Sequence, residues 1–230
     1  VVISVKNKKS GLGKKLPLTF VGGVVAFLGI TIAVVCILGA VFLYTSVSPV
    51  MPYSVKIFLF RTWVPVPNFG YSWTRQAISD LGVGPTSFMF NVGLIITGIL
   101  YLPFLPTILK PLGYTRTAKI GMITGWIACF SLIGIGVFSE VASFYHNLFS
   151  ILFWMLIALT AGILSFAMRS SSFFSKAMQR IGYFEWAAGW TLGVLTLLYG
   201  AIPEWLMLLT LTIWIYALSI EMIVKGRKAQ

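Results

Sequence analysis

Between Leu18 and Tyr44 the chain carries no Asp, Glu, Lys or Arg. A helix crosses the hydrocarbon core of a bilayer in about 20 residues, so this run spans with some tilt. It exceeds the apolar stretch of about 7–15 residues in a cleavable signal peptide and reads as a retained anchor. Gly22, Gly29, Ala33 and Gly39 give it a small-residue side on which another helix can approach closely. Comparable runs recur at about 87–109, 120–138, 145–168, 182–199 and 204–224. Together they predict an all-α fold, a bundle of six transmembrane helices. Composition matters at one point: charged residues make up 10% of the chain, against roughly 25% in soluble domains. That is too little polar surface to face water.

The segments between the runs set the topology. Residues 1–17 form a basic tail with Lys6, Lys8, Lys9, Lys14 and Lys15, and residues 225–230 form a second one. Residues 45–86 are the longest stretch outside the runs, and Pro49, Pro52, Pro65 and Pro67 forbid a continuous helix there. Phe58, Phe60, Trp63, Phe69, Tyr71 and Trp73 favour the headgroup zone, so the segment is expected to lie along the membrane surface. A short helix is expected at about 71–81, ending at Gly82. Thr86 or Ser87 is the expected N-cap of the second span, and Pro103 and Pro106 are expected to kink or fray its far end.

Counted by side, 14 Lys and Arg fall on the face that holds both termini, and Lys56, Arg61 and Arg75 fall on the other. The positive-inside rule then puts both termini in the cytoplasm and the 45–86 segment outside, in a multi-pass protein of the cell membrane. The formal net charge of +12 does not point to nucleic acid, because the basic residues flank apolar runs and form no stripe on a soluble module. Cys36 and Cys129 lie inside apolar runs and read as buried hydrophobes, with no disulfide.

The chain has only five acids and one histidine. Glu221 and Lys225 stand four apart in the favourable order for a helix pair. Glu185 falls inside the fifth run, within a turn or two of Arg180, and reads as a snorkelled carboxylate paired with an inner-face base, the alternative being a functional site. Asp80, Glu140 and Glu204 all fall at outer helix ends, as do Asn91 and His146. His146 and Ser150 share a helix face. With Ser79, these residues are the candidate site: His146, Asp80 and Glu140 as its catalytic centre, and Ser79, Asn91, Ser150 and Glu204 as binding residues. Imidazole beside carboxylates can move protons, and a carboxylate pair can hold a water or a cation. Each also has a plain structural reading. Asp80 can cap the start of the second helix or pair with Arg75, Asn91 can bond between helices, Glu140 can end a span, and His146 can sit at the interface as an amphipathic ring.

Other chemistries are demoted. One histidine argues against a zinc hydrolase, and no metal site is assigned. There is no phosphate loop, dinucleotide fingerprint, paired-histidine haem arrangement or cysteine motif, so no cofactor is assigned. No internal repeat or mid-span charge suggests a transporter or channel.

At these residues the sequence resembles the domain of unknown function 998 family of small integral membrane proteins. The resemblance rests on Ile78-Ser-Asp-Leu-Gly82, on Phe90-Asn91 through Gly98, on Gly134-Ile-Gly-Val-Phe138 with Glu140, and on His146. The chain departs from that pattern at Ser139, where proline is common. The resemblance implies a six-helix membrane protein and brings no reaction with it. Two readings of function follow. One is a non-catalytic accessory, scaffold or lipid-contacting protein, whose partners are membrane lipids and either other membrane subunits or a second copy. The other is a membrane enzyme acting on a lipid or lipid-linked substrate at the outer leaflet. The enzyme reading requires Asp80, Glu140 and His146 to converge on one outer cavity.

Overall fold

Six long helices follow the apolar runs: α1 (Leu18–Val47), α2 (Ser87–Leu109), α3 (Arg116–Val137), α4 (Ser143–Met168), α5 (Lys176–Tyr199) and α6 (Ala201–Lys228). The computed structural model describes residues 16–47, 52–57, 60–65, 71–74, 76–84 and 86–228. The lysines of the N-terminal tail and Arg75 lie outside that range. Five of the helices, all but α5, are long and apolar enough to cross a membrane. The first half of α5 is more polar, with Lys176, Gln179, Arg180 and Glu185.

Several helices start earlier than hydropathy alone suggests, because caps rather than apolar residues set their ends. Thr115 Oγ1 accepts the Ala118 N–H at 3.2 Å and opens α3, and Ser175 Oγ accepts the Met178 N–H at 3.1 Å and opens α5. Thr86 does not cap α2 through its side chain; its hydroxyl donates to the Leu81 carbonyl at 3.3 Å. The expected turn at 200–203 contracts to Gly200 alone, whose φ of +74° suits glycine, and Pro203 fits the first turn of α6.

Pro103 and Pro106 do not end α2, which runs through both to Leu109. Pro106 has no N–H for the carbonyl of Leu102, four residues back. Trp126 of α3 supplies the missing donor, its indole Nε1–H reaching Leu102 O at 2.9 Å. A neighbouring helix thus satisfies a group that lipid could not.

Each helix packs on its chain neighbours and α6 closes on α1, so the six form a ring. Gly22, Gly29 and Gly39 of α1 meet Thr107, Tyr101 and Met89 of α2, the close approach their spacing suggested. Up-and-down connection sorts the charges. Lys110, Arg116, Lys119, Arg169, Lys176, Arg180 and the last turn of α6 stand at one end, and Asp80, Glu140, His146 and Glu204 at the other.

Between α1 and α2 the chain adds an antiparallel hairpin, β1 (Pro52–Ile57) against β2 (Phe60–Pro65), with Ile57 opposite Phe60. The helical expectation contained no strand here, although Tyr53-Ser-Val-Lys-Ile57 alternates apolar and polar residues as a strand does. The surface helix expected at 71–81 is absent. Only a 3₁₀ turn, Ile78–Gly82, forms, and it is buried.

Candidate functional site

The segment Tyr71–Gly82 enters the acidic end of the ring, and residues 76–82 are all buried against α1, α2 and α6. A loop can lie inside a membrane protein only if its backbone groups are satisfied by protein. This one is built for that. The Tyr71 hydroxyl donates to the carbonyls of Gln76 and Ala77 at 3.1 and 2.9 Å, and Gln76 Oε1 accepts the Ser72 N–H at 2.6 Å. Asp80 Oδ2 accepts the Ala77 N–H at 2.8 Å and closes the 3₁₀ turn.

Side chains of the ring then anchor the loop. Gln76 Nε2 donates to Tyr44 Oη at 2.7 Å, Trp205 Nε1 to Tyr71 Oη at 3.2 Å, and Asn91 Nδ2 to Gly82 O at 3.1 Å. The Ile78 N–H donates to Glu204 Oε2 at 3.2 Å. Tyr71 stacks edge-on against Tyr44 and Trp205, with ring centroids 5.5 and 5.8 Å apart. Burial, and next the negative charge of Glu204, push the Tyr71 phenol well above the usual tyrosine range.

Held this way, the turn presents Ser79 to Glu140: Ser79 Oγ donates to Glu140 Oε1. His146, one turn into α4, completes the row. Its Nδ1 lies 2.8 Å from the carbonyl oxygen of Phe138, which can only accept, so Nδ1 carries the proton. The other nitrogen, Nε2, faces Glu140 Oε1 at 4.0 Å. All three residues are buried. The row can pass a proton between hydroxyl, carboxylate and imidazole once the last gap closes or a water fills it.

Below the row lies a cavity of about 80 Å³, counted as the space open to the centre of a water-sized sphere. Its walls are apolar side chains such as Ile37, Leu94, Leu132, Phe153 and Leu211, and Ser79, Ser150 and Glu204 bring polar atoms to it. The sequence candidates therefore divide by task. Ser79, Glu140 and His146 form one connected row, and Glu204 and Ser150 stand at the cavity. Asp80 and Asn91 both bond to the loop backbone: Asp80 closes its own 3₁₀ turn where a cap on α2 was expected, and Asn91 holds Gly82 where a bond between helices was expected. The Arg75 partner considered for Asp80 lies outside the described residues. Among the described residues no group of three or more His, Cys, Asp or Glu side chains is poised to hold a metal.

Four positions escaped sequence reading. Tyr44, Tyr71, Gln76 and Trp205 hold the loop in place, yet they come from distant parts of the chain, and the only signal was the aromatic excess of the loop. Glu221 and Lys225 form the expected pair at 2.5 Å, and Glu221 also caps α5 by accepting the Ser175 N–H at 2.7 Å. Glu185 departs from expectation: it is 2% exposed and makes no ion pair with Arg180, whose side chain is exposed. Glu185 lies on the inward face of α5, between Gly182 and Gly189, whereas Arg180 lies on its exposed face.

No curated protein and no solved structure matches the chain. Residues 57–221 match the family described as Protein of unknown function (DUF998). That stretch holds the buried loop and every residue of the row, and the chain is a member of that family of membrane proteins, whose activity is undefined.

Proposed function

We propose that this is a six-span protein of the cell membrane, both termini cytoplasmic, that holds the apolar chain of a membrane lipid as a non-catalytic component. The cavity carries the reading. A buried water needs about 10–15 Å³ of such space and two to four polar partners. About 80 Å³ could admit several waters, but the walls are mostly apolar, and the Thr97 and Tyr101 hydroxyls among them already bond to backbone carbonyls. A hydrocarbon chain suits the walls, and an oxygen-bearing lipid end suits the polar roof. The separation of basic from acidic helix ends supports the orientation. That α5 packs between α4 and α6 over a similar length supports its crossing with them. Such a protein would serve as an accessory or scaffold subunit beside other membrane subunits or a second copy of itself.

The test is purification in native nanodiscs followed by lipid extraction and quantification. Wild-type protein should retain a defined lipid class. Leu132→Trp, which fills the cavity, should lose it, and Ile123→Trp, on the exposed face of α3, should not. Equal retention by both variants sinks the reading.

Asp80, Glu140 and His146 do not line the cavity, against the convergence an enzyme requires, so a second reading, an enzyme acting on the same lipid, rests on the row Ser79–Glu140–His146, which meets the cavity only at Ser79. Glu140 would draw on the Ser79 proton and His146 would serve as acid or base, with Glu140 orienting it. Asp80, spent on the Ala77 N–H, would act only by shaping the turn. Consumption of the retained lipid that disappears in Ser79→Ala and in His146→Gln, with retention intact, would replace binding by catalysis as the function.

A further inference from the structure

The basic half of the ring contains buried polar atoms that the outer row does not use. Ser165 of α4, Glu185 of α5 and Trp214 of α6 are 0%, 2% and 1% exposed. Among the described residues, Ser165 Oγ, Glu185 Oε2 and Trp214 Nε1 have no hydrogen-bond partner. Many hydroxyls within the helices bond back to the carbonyl three or four residues earlier, as Ser131, Thr160 and Ser219 do to Ile127, Leu156 and Ile215. Ser165 does not. Its hydroxyl turns across to α5, where a methyl at Gly182 would stand 1.9 Å from it and 3.1 Å from Trp214 Nε1. Glu185 lies on the same face of α5, one turn along from Gly182. Three helices thus bring a hydroxyl, an indole N–H and a carboxyl to neighbouring points of one interface.

We propose that these side chains form a proton-holding site, in which Glu185 is protonated and one water joins its carboxyl to Ser165 and Trp214. Burial favours this arrangement: Glu185 is 2% exposed, and an isolated buried carboxylate is far more costly than a neutral carboxyl. The Thr210 hydroxyl, 3.1 Å from the Met207 carbonyl, can turn to Glu185 as donor or acceptor. A water then accepts from the indole N–H and donates to Glu185 Oε2 and Ser165 Oγ, satisfying all three atoms.

No opposite charge offers an alternative. On α4, His146 faces Glu140 at the acidic end and Arg169 caps the basic end. On α6, Glu204 accepts the Ile78 N–H and Glu221 pairs with Lys225. On α5 itself Lys176 and Arg180 are exposed. A bare cation does not suit the site, because the indole presents the positive end of its N–H there and no second carboxylate balances the charge. Ionisable groups buried in membrane spans mark proton or ion sites by default.

Infrared difference spectra of the full chain in lipid nanodiscs at pH 7, wild type minus Glu185→Gln, test the assignment. The expected result is the carbonyl band of a protonated acid, shifted in heavy water and absent from the variant. Glutamine mimics a protonated carboxyl, so the variant should fold with unchanged thermal stability. Carboxylate bands in its place overturn the proposal. Should the variant fail to fold, the wild type decides alone. An apolar carbodiimide, which attacks protonated carboxyls, should label Glu185, and absence of that label overturns the proposal.

Discussion

Trp126 shows how a single side chain repairs a break elsewhere. Pro106 leaves the Leu102 carbonyl without its helix donor, and the indole of α3 replaces it at 2.9 Å. Trp126→Phe keeps most of the packing and removes only that donor. An unsatisfied buried carbonyl costs about 1–3 kcal/mol, so the variant should unfold at a lower temperature by a corresponding amount. In a Pro106→Ala background the restored N–H should bond Leu102, and the cost of Trp126→Phe should largely vanish. A double-mutant cycle followed by thermal unfolding reads the difference, and additive costs would refute the repair. The proline was plain in the sequence. The tryptophan that answers it was one of eight and carried no mark.

Among the elements, the loop Tyr71–Gly82, buried over residues 76–82, departs furthest from its expected form. The aromatic residues suggested a segment along the membrane surface with a short helix ending at Gly82, and the chain folds inward because Tyr71, Gln76 and Asp80 satisfy its backbone internally. The Tyr71 phenol is the hinge of that arrangement. Ionisation would remove its proton from the carbonyls of Gln76 and Ala77 and set a charge near Glu204, so its folded-state pKa is raised. The stability it contributes is therefore complete below the unfolded value of about 10 and declines as the pH rises above it. Tyr71→Phe should cost about 1 kcal/mol near neutral pH. Its deficit against wild type should shrink on going to pH 11, because the phenylalanine has nothing to ionise. Thermal unfolding at pH 8 and pH 11 checks this, and a deficit that grows with pH contradicts the role given to the phenol.

At the scale of the whole molecule, the ring separates a basic rim from an acidic, plugged rim, and places the cavity between them. The orientation and the crossing of α5 can be tested together by cysteine labelling in a background without Cys36 and Cys129. Tyr114→Cys and Ser172→Cys, in connections at the basic end, should react only from the cytoplasmic side. Val141→Cys and Ile202→Cys, exposed at the acidic end, should react from outside. Labelling of positions 172 and 202 from the same side would remove α5 from the set of spans.

Helix number and the gathering of basic and acidic residues at opposite helix ends were legible because they depend on local, additive quantities. A run such as Leu18–Tyr44 has no partner but lipid or another helix, and Lys and Arg sort by the cost of moving charge across a bilayer. Membership of the site was only half legible for the same reason. That Ser79, Glu140, His146 and Glu204 share the acidic end follows from topology, whereas which of them touch depends on the inward fold of one loop. Only the tertiary structure decided that Ser79 reaches Glu140 while Asp80 turns back on Ala77. It also separated Glu185 from Arg180 and brought Ser165 and Trp214 to Gly182, one turn from Glu185, because helix rotation is fixed by packing among α4, α5 and α6. Such contacts join residues up to 126 positions apart, as Ile78 and Glu204 are. Local composition holds no term for a distance of that kind.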